Sequence, residues 1–326
     1  MPLILRNLRI RGGFTIKDAG PWYQQQGAFA FGLANALATS ALNVVNRMSN
    51  VGVIAADAGT SASTIKYGVA GASYGGDKGI FGFGRTAAPT GGTDQSTTNL
   101  MTNTGTIGVD VTGVGTARYE LAACGYGADK AIFGFGGAIP AGVIGVTNLV
   151  SNTGVVSTDT AAVGTARTSL SAAKYGGDKG IFIYGYKSGT QTMVNLVSNT
   201  GVVATDSAGA GTARTSGAAS SYGHTKAIFG FGYVSGGGGY LSTTNLISDT
   251  GVFTNDIAGV GSIRIGLAAT VYNANKCAFA YGSSTTTTNT CTNISNRVSE
   301  LGVVATDTTG VGSVRFLLGA ASYGSA

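Results

Sequence analysis

A segment of about fifty residues returns again and again along this chain, and that repeat limits the possible folds more than any other feature. Its clearest copy is Tyr126-Gly-Ala-Asp-Lys-Ala-Ile-Phe-Gly-Phe-Gly136. The landmark tyrosines are Tyr74, Tyr126, Tyr175, Tyr222, Tyr272 and Tyr323, and Tyr23 opens a weaker first copy, Tyr23-Gln-Gln-Gln-Gly-Ala-Phe-Ala-Phe-Gly32. Successive spacings are 51, 52, 49, 47, 50 and 51. Self-similarity at this period means a solenoid, a propeller or an array. Each unit then packs only on its neighbours, so 326 residues need not share one core.

One unit reads as four strands. Arg118–Tyr126 predicts a first strand of small residues, and Gly127-Ala128-Asp129 a tight turn. Lys130–Gly136 follows as a second strand of period two, with Phe133 and Phe135 on one face and Ile132, Gly134 and Gly136 on the other. Both faces are apolar or small, so both are predicted to be buried. Thr147–Asn152 reads as a third strand, Thr153-Gly154 as the hairpin loop and Val155–Asp159 as a fourth strand. The aromatic pair returns as Phe29/Phe31, Phe81/Phe83, Phe182/Tyr184, Phe229/Phe231 and Phe279/Tyr281. The third-strand asparagine returns as Asn46, Asn99, Asn148, Asn195, Asn245 and Asn296. The hairpin glycine returns as Gly52, Gly105, Gly154, Gly201, Gly251 and Gly302.

The first copy lacks a preceding first strand, and the last first strand, Arg315–Tyr323, has nothing after it. Both facts resolve if the C-terminal strand completes the unit begun at Gly27, which would also remove exposed sheet edges. The expected fold is all-β: a closed six-bladed β-propeller of four-stranded blades over residues 23–326, with residues 1–22 as an N-terminal extension.

At this level the chain resembles kelch-type propellers, in which an arginine, an apolar strand, an aromatic strand ending in glycine and a polar hairpin follow in order. Here these are Arg167, Tyr175-Gly-Gly-Asp-Lys-Gly-Ile-Phe-Ile-Tyr-Gly185 and Asn195-Leu-Val-Ser-Asn-Thr-Gly201. The resemblance covers residues 23 to 324. It departs from the family at the outer strand, where kelch repeats carry a tryptophan and the chain has none; its one tryptophan is Trp22. The wording Asn-Leu-Val-Ser-Asn-Thr-Gly-Val-Val is also similar to propeller proteins encoded by marine tailed phages. That likeness implies a non-enzymatic virion component, whose partners would be other virion proteins and a host-surface glycan or protein, within an oligomeric assembly. The alternative is a soluble extracellular lectin or adhesin, and a propeller glycoside hydrolase ranks third.

Composition narrows the classes further. Glycine makes up 55 of 326 residues and charged residues only 10%, against ~25% in ordinary domains. The polar surface therefore comes from Ser, Thr, Asn and backbone, which suits a virion or extracellular protein. Net charge is +6, yet outside the N-terminus the cations form no basic stripe of the kind nucleic-acid binding needs. No apolar run reaches the ~20 residues of a membrane span. Cys124, Cys277 and Cys291 make neither a disulfide framework nor a zinc site. Cys124 reads as a core residue, and Cys277 and Cys291 flank one hairpin that a disulfide would close. His224 is the lone histidine, so no Ser-His-Asp triad or His-rich metal site is expected, and no cofactor.

Two sets of residues stand out. Asp57, Asp110, Asp159, Asp206, Asp256 and Asp307 precede Lys66, Arg118, Arg167, Arg214, Arg264 and Arg315 by eight or nine residues. They predict a structural ring of ion pairs or loop clamps; the alternative is a cationic mouth that holds an anion or acidic glycan. Arg6, Arg9 and Arg11 alternate with Leu5, Leu8 and Ile10, a pattern for a strand that adds to a partner's sheet edge. The stretches between second and third strands, 33–45, 85–98, 137–147, 187–194, 233–244 and 283–295, differ in every unit and are candidate binding loops.

Overall fold

The computed structural model describes residues 25–35, 40–86, 92–285 and 290–324. The N-terminal extension, with Arg6, Arg9 and Arg11, lies outside them. Among the described residues all regular structure is β, arranged as antiparallel sheets of two to four strands.

The third unit shows the plan. Ala122–Tyr126 pairs with Lys130–Gly134, placing Cys124 opposite Ile132. Lys130–Gly134 pairs in turn with Thr147–Val150, placing Phe133 opposite Asn148. The equivalent first strands are Ala70–Tyr74, Ser171–Tyr175, Ala218–Tyr222, Ala268–Tyr272 and Gly319–Tyr323. Gly319–Tyr323 pairs with Gln26–Ala30, Ala320 opposite Phe29, so one sheet joins the two ends of the described chain.

Two strand boundaries differ from the sequence reading. First strands begin about four residues after the cation rather than at it, because Glu120, Ser169, Ser216 and Leu317 take a positive φ of 48° to 55°, which no strand tolerates. The fourth strand of the third unit shrinks to bridges at Val156 and Thr160, where Val155–Asp159 was expected to run as a strand.

The face assignment of the aromatics is also corrected. Phe135 does not share a face with Phe133. It has φ 62°, and its counterparts Phe31, Phe83, Tyr184, Phe231 and Tyr281 have φ 56° to 64°. A left-handed residue ends the strand and resets the alternation, so the two aromatics of a pair turn to opposite sheets. Phe133 meets Phe83 with ring centroids 5.1 Å apart, whereas Phe135 meets Phe182 at 5.1 Å. The same contact joins Phe31 to Phe81, Tyr184 to Phe229, Phe231 to Phe279 and Tyr281 to Phe29. Each of these cross-sheet contacts thus lies inside a separate apolar cluster between two neighbouring sheets.

The hairpin glycines have a steric reason. Gly154 has φ 85°, and a Cβ there would stand 3.0 Å from the ring of Tyr74 on the preceding sheet. Each landmark tyrosine therefore packs beneath the hairpin of the next unit, which ties the two repeated positions together.

Backbone hydrogen bonds link the six first strands at both ends. At one end Glu120 N–H donates to Gly68, Ser169 to Glu120, Ser216 to Ser169, Gly266 to Ser216, Leu317 to Gly266 and Gly68 to Leu317, at 2.7–2.9 Å. The series returns to its start. At the other end Gly75, Gly127, Gly176, Gly223, Asn273 and Gly324 donate to Asp129, Asp178, Thr225, Asn275, Gln25 and Asp77 in a second returning series. The positive φ values at the first end aim each N–H sideways at the next sheet instead of along its own strand.

All three cysteines are free: Cys124 and Cys277 are buried, and Cys291 is half-buried. The disulfide that Cys277 and Cys291 would close is not formed. Burial pushes the Cys124 thiol up to about 12, so it is an inert core group.

Candidate functional site

The cations and aspartates singled out in the sequence do meet, but across a different interval from the one their spacing suggests. Arg167 pairs with Asp206 at 3.8 Å, Arg214 with Asp256 at 3.4 Å, Arg264 with Asp307 at 3.5 Å and Arg315 with Asp57 at 3.9 Å. Each cation thus faces the aspartate of the sheet it enters, not the one eight or nine residues upstream.

The third-strand asparagine completes the arrangement. Arg167 Nη2 donates to Asn195 Oδ1 at 2.7 Å, and Asn195 Nδ2 donates to Asp206 Oδ1 at 2.9 Å. The Thr165 N–H and hydroxyl both donate to Asp206 Oδ2, at 2.9 and 2.7 Å. Arg118, Asn148, Asp159 and Thr116 repeat the pattern. Gly164 must be glycine: its φ is 83°, and a Cβ would lie 2.4 Å from Asp206 Oδ1. Each guanidinium also covers an aromatic ring of the sheet before it, Arg167 over Phe135 at 4.3 Å and Arg118 over Phe83 at 4.0 Å. The same cation's carbonyl accepts from that sheet's glycine, as Gly136 N–H donates to Arg167. One residue therefore bolts two sheets together.

All six cations, Lys66 among them, are fully buried. None presents its charge to a ligand in solution, which removes the premise of an open cationic mouth at this ring. Burial lowers Arg118, Arg167 and Arg264 to about 10, and they remain charged at neutral pH.

Burial alone would raise the six aspartates. Hydrogen bonds from the neighbouring Ser or Thr and from the asparagine outweigh it, and the buried cation adds to them, so every carboxyl lies below its ordinary value. A depressed carboxylate stabilises the fold above its unfolded pKa, ~3.9, and that stabilisation is lost as pH falls through the folded value. Urea midpoints should therefore be flat near neutrality and fall steeply below pH 4. A midpoint unchanged down to pH 2.5 would contradict these clamps.

The clamp at Lys66 is incomplete. Lys66 donates to Thr97 O and Oγ1, both at 3.1 Å, and leaves Asn99 Oδ1 buried without a hydrogen-bond partner. Burial holds its ammonium down to about 8, partly countered by Asp110. Lys66→Arg should reach Asn99 as Arg118, Arg167, Arg214 and Arg264 reach their asparagines and raise stability by about 1.5 kcal/mol. An equal or lower denaturant midpoint would show that the site is fitted to lysine.

The first strands of all six units also enclose a cavity of about 240 Å³ at the end that carries the Asp-Lys turns. The opposite end holds a smaller pocket lined by Val69, Leu121, Leu170, Leu267 and Leu318, all buried. Beside them half-buried Glu120 accepts a hydrogen bond from Ser169 Oγ. Desolvation pushes its carboxyl up, against the pull of that hydrogen bond. Among the described residues no group of three or more His, Cys, Asp or Glu stands ready to hold a metal ion. The cavity was not legible as a site in the repeat; the signal was the residue before each landmark tyrosine.

The variable loops leave from the end where the cations sit. The residue after the cation bridges the start of the loop of the same unit, as Tyr119 bridges Gly137 and Thr215 bridges Tyr233. No protein-family model matches the chain, and no curated protein sequence matches it.

Proposed function

We propose that the six sheets are the blades of a closed, kelch-like β-propeller that acts as a non-enzymatic virion component of a tailed phage. The closed reading is supported by the pairing of Gly319–Tyr323 with Gln26–Ala30 and by the two returning series of backbone hydrogen bonds. The display reading rests on one contrast between the two ends. At the hairpin end the units repeat nearly the same residues, down to the exposed Val53, Val155, Val202, Val252 and Val303. At the other end every unit carries a different loop on the same scaffold. A rigid frame with six divergent loops suits recognition of a host-surface glycan or a protein. The repeated carboxylates are engaged as acceptors inside the clamps, which favours binding over catalysis.

In this reading residues 1–22, through Arg6, Arg9 and Arg11, anchor the propeller to other virion proteins as part of an oligomeric assembly, and the loop end faces outward. The test has two arms. Mass spectrometry of purified particles should find this chain, and a version lacking residues 1–20 should fold yet fail to join them. A glycan array read for binding and for cleavage separates the alternatives. Glycan binding by a chain absent from particles points to a soluble extracellular lectin, and cleavage points to a glycoside hydrolase.

A further inference from the structure

The cavity at the turn end is lined by two lysines that the clamps do not use, Lys130 in the turn beside Asp129 and Lys174 on a first strand. The residue before each landmark tyrosine faces it: Ser73, Gly125, Lys174, Ser221, Val271 and Ser322, one from each sheet. The layer beneath is Gly71, Ala123, Ala172, Ala219, Ala269 and Ala320. Five of the six upper positions are small or uncharged, and the sixth is Lys174.

We propose that this mouth is a binding site for a single small oxyanion, a carboxylate or phosphate-like group, with the Lys174 ammonium as its principal contact. Four observations carry this. First, the stem of Lys174 leans across the cavity toward the neighbouring sheet, with Cδ 3.5 Å from where a Cβ on Gly125 would stand. The absence of a side chain at Gly125 makes room for it. Second, Lys174 is only partly exposed, yet among the described residues its ammonium has no hydrogen bond and no ion pair within 4 Å. Burial lowers its pKa, and the attraction of Asp178 and Asp129 only partly offsets that. A half-desolvated ammonium without a partner gains from an anion that supplies one.

Third, the wall around it is polar and fixed. Ser221 Oγ donates to the carbonyl of Lys174 at 2.8 Å, Ser73 Oγ to the carbonyl of Ser322 at 2.9 Å and Gln25 Nε2 to Ser322 Oγ at 2.9 Å. Fourth, the surrounding field is positive. The turns at this end carry Lys78, Lys130, Lys179, Lys226 and Lys276 against Asp77, Asp129 and Asp178, so with Lys174 these residues sum to a charge of +3, and Lys130, Asp129 and Lys174 among them line the cavity itself. Such a field raises the local concentration of anions. At about 240 Å³ the space is smaller than the ~300–1,000 Å³ of sites for drug-sized ligands, which limits the occupant to one small molecule.

Two sources share this chemistry, an acidic monosaccharide and free inorganic phosphate. The test is the rate at which Lys174 of the full-length protein is acetylated, read by mass spectrometry, with exposed Lys179 as internal reference. Glucuronate, inorganic phosphate and neutral glucose are added separately at equal ionic strength. Glucuronate or phosphate should slow acetylation of Lys174 at least threefold without changing Lys179, and glucose should do nothing. Protection by glucuronate alone identifies an acidic sugar. Protection by phosphate, with or without glucuronate, identifies a general oxyanion site. Protection by neither, equal protection of both lysines, or protection by glucose overturns the proposal. Calorimetry with Lys174→Gln should show at least a tenfold loss of affinity for the protecting anion. Unchanged affinity in that variant overturns it too, and if the variant does not fold, the footprint on the unaltered chain decides.

Discussion

A chain cut before residue 313 should not reach the folded state at all. The cut removes Gly319–Tyr323, the strand that pairs with Gln26–Ala30. It removes Leu317 and Gly324, and with them two links of the first returning series of hydrogen bonds and one of the second. It removes Arg315, whose Nη2 donates to Phe29 O at 3.1 Å, and Ser313, which caps Asp57. It also takes Leu318 from one apolar cluster and Ala321 and Tyr323 from the next. The sheet beginning at Gln26 is left with an open edge, and so is the cluster on either side of it. An exposed edge is a template for aggregation. The expected result is insoluble protein, or a soluble form without a cooperative melt. A truncated chain melting within a few degrees of the full one would mean that the first sheet is stable without its C-terminal strand.

The aromatic pairs give the second large effect. Phe133, Phe135 and Phe182 are each fully buried, and each change to alanine should cost about 3–5 kcal/mol. The informative measurement is how these costs combine. Phe135 and Phe182 touch edge to face, so a double-mutant cycle should return a coupling of about 0.5–1.5 kcal/mol. Phe133 and Phe135 lie in different clusters, so their effects should add to within about 0.5 kcal/mol. Urea denaturation of the single and double variants reads both. Strong coupling of Phe133 with Phe135, and none of Phe135 with Phe182, would restore the one-face arrangement that alternation predicts.

That contrast shows where the sequence was legible. Tyrosine, aromatic pair, asparagine and hairpin glycine mark the six units and their order, because each recurs at a position packed against a neighbouring unit. The pairing of the C-terminal strand with the first sheet followed from counting strands. The reversal at Phe135 was hidden, since period-two reading assumes φ stays negative and a phenylalanine with φ 62° breaks that assumption. The glycine that follows each second aromatic, Gly136 in this unit, was the available clue. The clamp pairing was hidden for another reason. Spacing reveals which residues recur, but a recurring aspartate is equally periodic whether it serves the unit before or after it. Arg214 reaches Asp256, 42 positions on. The Lys174 cavity lies beyond what a repeat can announce, because it depends on the one unit that places a lysine at this position.

The sheet shared by both ends of the described chain bears on how the protein is made. Gln25 and Ser322, hydrogen-bonded in the finished molecule, are 297 positions apart. During synthesis the units that begin at Ala70, Ala122, Ser171, Ala218 and Ala268 each emerge whole, and each can pack on the one before it. The strand from Gln26 leaves the ribosome before any of these units, and its partner, Gly319–Tyr323, leaves after all of them. Contacts of such long range form slowly, and exposed edges endanger a chain while it waits. The interval between translation of Ala30 and of Tyr323 is thus the period in which a nascent chain is open to the wrong neighbour. A second nascent chain, offering its own C-terminal strand, would fit that edge equally well.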